Sequence, residues 1–404
     1  AILIADSGLS AVEFLQHLLQ QALSAVSPAN CLPAHLPDLS DKGSIIVVGA
    51  GKAAAAMAQV VEQRYPGRCR GVVVTRYGHA VPTQTIRVLQ AAHPVPDQAS
   101  LEAAQQLLAE VRGLSSDDVV LGLWSGGGSA LLSLPAAGLT LSDKQQIQRQ
   151  LLASGACIQE INTVRRYCSA IKGGQLARAC GRAKMLSLVL SDVPGDDPAI
   201  VASGPMYPAK LEQATVSAIL QRYQIKLSPA ARYWFENSQP NAALTDELRC
   251  AKLRTSIIAN AQTALQAAAE WARRVGVVSY ILGDDIEGEA QSLASMHAAI
   301  VRQIMRYHQP FAAPCLLLSG GEASVRHQGQ GRGGRNTEFL LALQLALRGE
   351  AQVYALAADT DGIDGSGDNA GAWFSPACWQ RGAERGLDPR AYLDQHDSYR
   401  YFAQ

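Results

Sequence analysis

A chain of 404 residues, 48% hydrophobic and 17% charged, has material for more than one core and lies far from the composition of disordered chains. Lys plus Arg equals Asp plus Glu, 35 against 35, so no net field draws it to nucleic acid or an anionic membrane, and a small-molecule partner is expected. No run reaches the roughly 18 apolar residues of a membrane span, the first residues lack a basic leader, and the eight cysteines show no metal or redox spacing. Reduced thiols and a cytoplasmic location are expected.

Short runs rich in Val, Ile and Leu at 45–49, 71–75, 119–124, 186–190, 256–259, 277–282, 315–318 and 353–357 read as buried parallel strands. Helical patterns fill the gaps, for example 101–111 and 261–275. The first four runs precede a polar, strand-free stretch at about 227–246 and the rest follow it. This predicts two α/β domains, a Rossmann-like doubly wound parallel sheet over 1–250 and a smaller α/β domain over 251–404. In such sheets ligands gather at the carboxyl ends of the strands.

The first strand turns through Gly49-Ala50-Gly51-Lys52 into an alanine-rich helix. Backbone N–H groups there can hold an anion, with Lys52 as a mobile charge beside Gly51. The spacing is not a P-loop, but it fits G-x-G-x-x-A, which keeps a dinucleotide open, as it does a plain tight turn with a solvated lysine. The second strand ends in Thr75-Arg76, without the acidic residue that grips an NAD ribose.

After the strand 119–124 comes Ser125-Gly126-Gly127-Gly128-Ser129. Three successive glycines cost backbone entropy and are tolerated chiefly where backbone must approach a ligand, here a phosphate that Ser125 and Ser129 can also touch. Arg165 and Lys172 are further candidate anion contacts, Arg165 offering a planar fork. Asp192, Asp196 and Asp197 crowd three carboxylates after the fourth strand, an arrangement suited to Mg²⁺ with substrate phosphates or to a solvated capping turn. His93, in His93-Pro94-Val95-Pro96-Asp97, reads as a structural loop residue. In the second half, Glu322 ends a strand, Gly333-Gly334-Arg335-Asn336 opens a helix that can fold around an anion, and Asp359 and Asp361 lie in an Asp-rich loop read as catalytic or metal-positioning.

Together the strings GAGKA, HPVPD, WSGGGSALL, INTVRR, IKGG, SDVPGDDPAIVASGP, SGGE, GQGRGGRN and AADTDGIDGSGDNAGA resemble the class II glycerate kinase family over nearly the whole chain. The resemblance implies a glycerate-kinase-like domain joined to a MOFRL domain, with the active site in the cleft between them. It implies transfer of phosphate from ATP to D-glycerate with Mg²⁺, 2-phosphoglycerate being the expected product. The family's lysine and arginine match Lys52 and Arg335, so Lys52, Arg335 and Asp192 are the expected catalytic residues. Gly51, Ser125, Gly126, Gly127, Gly128, Ser129, Arg165, Lys172, Gly333, Gly334 and Asn336 are the expected phosphate or substrate contacts. Asp192, Asp196, Asp197, Glu322, Asp359 and Asp361 are the metal candidates. Because members also carry the label hydroxypyruvate reductase, an NAD(P)H-dependent reductase is the alternative. A homodimer is the default assembly.

Overall fold

The computed structural model describes residues 8–39, 42–209, 211–238, 253–325, 331–350, 352–365 and 367–404. Cys250, Gly329, Gln330 and Ser366, and the second half of the polar stretch at 227–246, lie outside them. The chain packs as two units, one of residues 27–260 and one of residues 1–26 with 261–404.

In the unit 27–260, six strands form one parallel sheet: β1 (Ile45–Ala50), β2 (Cys69–Arg76), β3 (Ile86–Ala91), β4 (Val119–Trp124), β5 (Lys184–Leu190) and β6 (Leu253–Ala259). Their spatial order is β3-β2-β1-β4-β5-β6, the doubly wound order whose direction reverses between β1 and β4. Period-two alternation builds the two faces. Ile46, Val48, Val72 and Val74 join one core with Leu107 of the helix Gln98–Glu110, while Ile45, Val47 and Val73 join another with Met57 and Val61 of the helix Ala54–Arg64. Each such fully buried side chain stabilises the sheet by about 1.5–3 kcal/mol. β1 is buried at every residue, as a central strand covered on both faces must be.

The run 256–259 was expected in the second domain, yet β6 pairs with β5 in the first sheet, so the break follows Asn260 rather than residue 250. The polar, strand-free stretch contains the helix Pro229–Asn237, because Trp234 and Phe235 turn inward onto Tyr167, with ring centroids 5.6 and 6.0 Å away.

The unit of 1–26 and 261–404 holds a parallel pair, β7 (Ser279–Glu289) and β8 (Leu316–Ser324), and an antiparallel pair, β9 (Ala355–Ala358) and β10 (Gly371–Phe374). The helix Ala11–Ala25 belongs to it. Phe14 and Leu18 pack with Ala268 and Ala272 of the helix Ala261–Arg274, and Phe14 lies 5.3 Å from Trp271. Among the described residues no helix is long and apolar enough to cross a membrane.

Candidate active site

The parallel register sets Ala50 of β1 beside Trp124 of β4, and Trp124 beside Val189 of β5. Three loops therefore leave the sheet at one level: Gly51-Lys52, Ser125 to Ser129, and Ser191-Asp192. At Gly51, φ is 141°, and a Cβ there would come within 2.1 Å of Ser125 Oγ; only glycine lets the two turns meet so closely. The Lys52 amide donates to the Gly126 carbonyl at 2.9 Å, and the Ala53 amide donates to Ser125 Oγ at 3.1 Å.

Ser125 thus clamps the β1 and β4 turns together and is buried. Its oxygen accepts from the neighbouring loop, which gives it a positioning role beside the expected phosphate contact. Ser129 is likewise engaged, 2.8 Å from Ser203 Oγ. Ser203 and Ala202 both have positive φ, 59° and 53°, a strained pair of buried non-glycine residues held by the surrounding structure. Ala202 lies against Gly128, where a Cβ would be 2.7 Å from its own.

The middle glycines carry the geometry of the site. A Cβ on Gly126 would stand 1.8 Å from Asp192 Oδ2, and one on Gly127 would stand 3.1 Å from His93 Cδ2 and 3.4 Å from Lys52 Cγ. Lys52, His93 and Asp192 therefore converge on the triple-glycine turn from three different loops. His93 was read as a structural loop residue, but its exposed imidazole edges this turn. The HPVPD string held the only signal for it, and nothing local named its neighbours.

Arg165 and Lys172 lie deeper. The Lys172 ammonium is 2% exposed and donates to the Leu132 carbonyl at 2.5 Å. Burial drives its pKa well below that of an ordinary lysine, and Lys144 and Arg165 push it the same way. Burial also lowers Arg165 to about 10.

The aspartates after β5 do not gather. Asp192 faces the glycine turn, Asp196 accepts from Asn260 Nδ2 at 2.5 Å, and Asp197 accepts from the Ala199 amide at 2.9 Å. Among the described residues no three His, Cys, Asp or Glu side chains come together to hold a metal. The metal candidates Asp192, Asp196, Asp197, Glu322, Asp359 and Asp361 form no such group of three. Glu322 and Asp359 do converge, but on Arg335, a cation where a metal would need space. Asp361 Oδ1 accepts the Ile363 amide at 3.1 Å within its own loop.

Arg335 opens the helix Arg335–Leu347. Burial alone disfavours its charge, but Glu322 and Asp359 outweigh that and raise its pKa above the ordinary arginine value. The loop before it is not an open phosphate cradle. Asp364, buried at 1% exposure, accepts the Asn336 amide and Nδ2 at 2.9 and 3.1 Å through Oδ1, and the Thr337 amide and hydroxyl at 2.9 and 2.8 Å through Oδ2. A Cβ on Gly334 would come within 2.4 Å of Asp364, and one on Gly333 within 2.3 Å of Ser398 Oγ. An internal carboxylate thus caps the helix end where Gly333, Gly334 and Asn336 are expected to meet phosphate. Asp364 is the residue sequence reading missed, because its cap comes from 27 residues downstream of Thr337.

Comparison with known proteins agrees with this architecture. Residues 14–236 match the family described as a domain of unknown function (DUF4147), and residues 315–404 match the MOFRL family. The chain is 46% identical to a putative hydroxypyruvate reductase of Agrobacterium vitis, over 97% of this chain and 89% of that protein. It is 35% identical to the D-glycerate 2-kinase of Thermotoga maritima, over 95% and 90%. The crystal structure of a glycerate kinase from Thermotoga maritima superposes with a TM-score of 0.85 at 32% identity, covering 97% of this chain and 93% of that one. On the domain pair, the relatives and the shared fold, the chain belongs to the class II glycerate kinase family.

Proposed function

We propose that the chain is a glycerate kinase that transfers the γ-phosphoryl group of ATP to D-glycerate, yielding 2-phosphoglycerate, with Mg²⁺ as cofactor. The observation that carries this reading is the convergence of Lys52, His93 and Asp192 on the Gly126–Gly127 turn at the β1/β4 switch point. The relatives that are glycerate kinases supply the substrate.

Phosphoryl transfer asks little covalent chemistry of a protein and much charge compensation. Lys52 brings a half-buried ammonium to the edge of the turn, where it can neutralise charge on a phosphate oxygen. The glycines let backbone approach that group without side-chain hindrance. Arg335 is the second candidate anion contact. Asp192, exposed beside Gly126, is a single carboxylate compatible with Mg²⁺ that arrives with the nucleotide, since Mg²⁺ commonly takes one or two protein carboxylates and fills its shell with phosphate and water. When bound, Mg²⁺ offsets the charge of the phosphate oxygens.

The name of the Agrobacterium vitis relative favours a second reading, hydroxypyruvate reduction by NAD(P)H, and the strand order is one that dinucleotide-binding proteins share. Against it, β2 ends in Thr75-Arg76, and the Thr75 hydroxyl is spent on the Lys52 carbonyl at 3.2 Å. Phosphorus NMR of D-glycerate with ATP and Mg²⁺, run beside hydroxypyruvate with NADH and with NADPH, separates the two. A new phosphomonoester signal of 2-phosphoglycerate supports the kinase. Coenzyme oxidation without that signal overturns it.

A further inference from the structure

Among the described residues, the first unit holds two buried lysines and a half-buried arginine with no carboxylate paired to any of them. Lys144, on the helix Leu141–Ala153, is 6% exposed, and its Nζ has no hydrogen-bond partner. Arg165, on the helix Ile158–Tyr167, leaves a buried Nε unpartnered and reaches only Asn162 Oδ1, at 3.5 Å from Nη1. Lys172 has only the Leu132 carbonyl. The nearby Asp143 is committed elsewhere, accepting from Thr140 Oγ1 at 2.6 Å and Ser228 Oγ at 2.7 Å.

This group adjoins the candidate active site. Gln145 and Gln148, on the Lys144 helix, donate to the Pro96 and Pro94 carbonyls at 2.8 and 2.9 Å and so fasten that helix to the His93 loop. From the other side Asn162 accepts from Ser203 at 3.1 Å, and Ser203 lies 2.8 Å from Ser129.

We propose that Lys144, Arg165 and Lys172 form a buried site for one oxyanion, a carboxylate or phosphate group. Buried cations without partners are costly; they either lose their protons or gather an anion. Three donors of one sign, close enough to act on one another and met internally only by the Leu132 carbonyl and Asn162 Oδ1, are built for the second outcome. The groups acting on Lys144 are Arg165 and the Cys168 thiol, and those acting on Lys172 are Lys144, Arg165 and Cys168. Burial lowers both lysines, and an entering anion favours their charged forms. The site stands on this unit's own geometry and does not depend on the kinase reading.

Thermal melts and titration calorimetry of the full chain with inorganic sulfate, inorganic phosphate and D-glycerate, at constant ionic strength in chloride, test the proposal without any turnover. Wild type should show a saturable response, and Lys144→Met should weaken the apparent affinity about tenfold or more. Competition between D-glycerate and phosphate identifies the substrate carboxylate as the occupant. Phosphate binding that D-glycerate does not displace identifies a free phosphate; either result supports the site. Equal responses in wild type and Lys144→Met, or no saturable response in wild type, overturn it. Should Lys144→Met fail to fold, Arg165→Gln takes its place: a similarly weakened response supports the site, and an unchanged one overturns it.

Discussion

Arg335 donates from both Nε and Nη2 to one oxygen of Asp359, Oδ2, at 3.2 and 2.9 Å, while its Nη1 is held by Glu322. Each of the three guanidinium nitrogens therefore has a carboxylate partner. The two partners are unequal, for the Asp359 side chain is 10% exposed and that of Glu322 is 61% exposed. Glu322 is the one an incoming anion can displace, because its own carboxylate regains water on release.

From this follows the expected behaviour of Arg335→Lys. A point charge cannot bridge Asp359 and an anion at once, so kcat/KM for D-glycerate phosphorylation should fall about a hundredfold. Steady-state kinetics checks this, and wild-type values would reduce Arg335 to a structural ion pair with Asp359. The companion Glu322→Gln should lower KM for the anionic substrate that Arg335 binds.

Lys52→Ala should leave the fold nearly unchanged and remove most turnover. Its ammonium is only half-buried at the edge of the Gly127 turn, and loss of one charge-stabilising donor costs about a hundredfold or more in rate. Thermal melting and initial rates measured on the same preparation make the comparison; a variant with most of its turnover would sink the assignment.

Asp192→Asn keeps the shape beside Gly126 but halves the carboxylate's acceptor strength and removes its charge. If Asp192 is the protein's contact to Mg²⁺, half-maximal rate should require several-fold more Mg²⁺ at saturating ATP. An unchanged Mg²⁺ titration would move the metal contact elsewhere.

The packing of residues 11–25 onto the second unit can be tested by Phe14→Ala. Phe14 is 3% exposed and lies tilted against Trp271, with ring centroids 5.3 Å apart, and such truncations cost about 3–5 kcal/mol. Hydrogen exchange should rise along the helix Ala261–Arg274 and leave the strands β1 and β4 protected. Exchange that rises instead in β1 and β4 would contradict the division of the chain.

Glu62 sets an acid-side expectation. Burial raises its carboxyl, but the amides of Gln84, Ile86 and Thr85 and the Thr85 hydroxyl outweigh that and hold it below the usual glutamate range. Those amide bonds run from 2.6 to 3.1 Å. With the folded pKa below the unfolded value of about 4.3, its stabilisation is complete above that pH and is lost as pH falls through the folded value. Glu62→Gln should therefore be less stable than wild type by about 1 kcal/mol near neutrality, with the gap closing in acid. Denaturant melts across that range give the result, and a gap that widens in acid would reverse the sign.

What the amino-acid sequence determined by itself was whatever lies within a turn or two of chain. The apolar runs named seven of the eight strands that form parallel pairs, β1 to β8, because Val and Ile at period two need no distant partner to declare a strand. β3 escaped, since Arg87 and Gln90 on an edge strand break the apolar run, and so did the four-residue β10. The glycine turns at Gly51 and Gly126–Gly128 were legible for the same local reason: their backbone cost has to be justified on the spot. Only the tertiary structure decided what those turns touch. It brought His93 to Gly127 from 34 residues upstream and Asp192 to Gly126 from 66 downstream, capped the Asn336 helix with Asp364, and gave the first sheet its β6 and the second unit its N-terminal helix. Those choices rest on burial and hydrogen-bond satisfaction between segments far apart in the chain, and a side chain's sequence neighbours carry no record of which distant group will complete it.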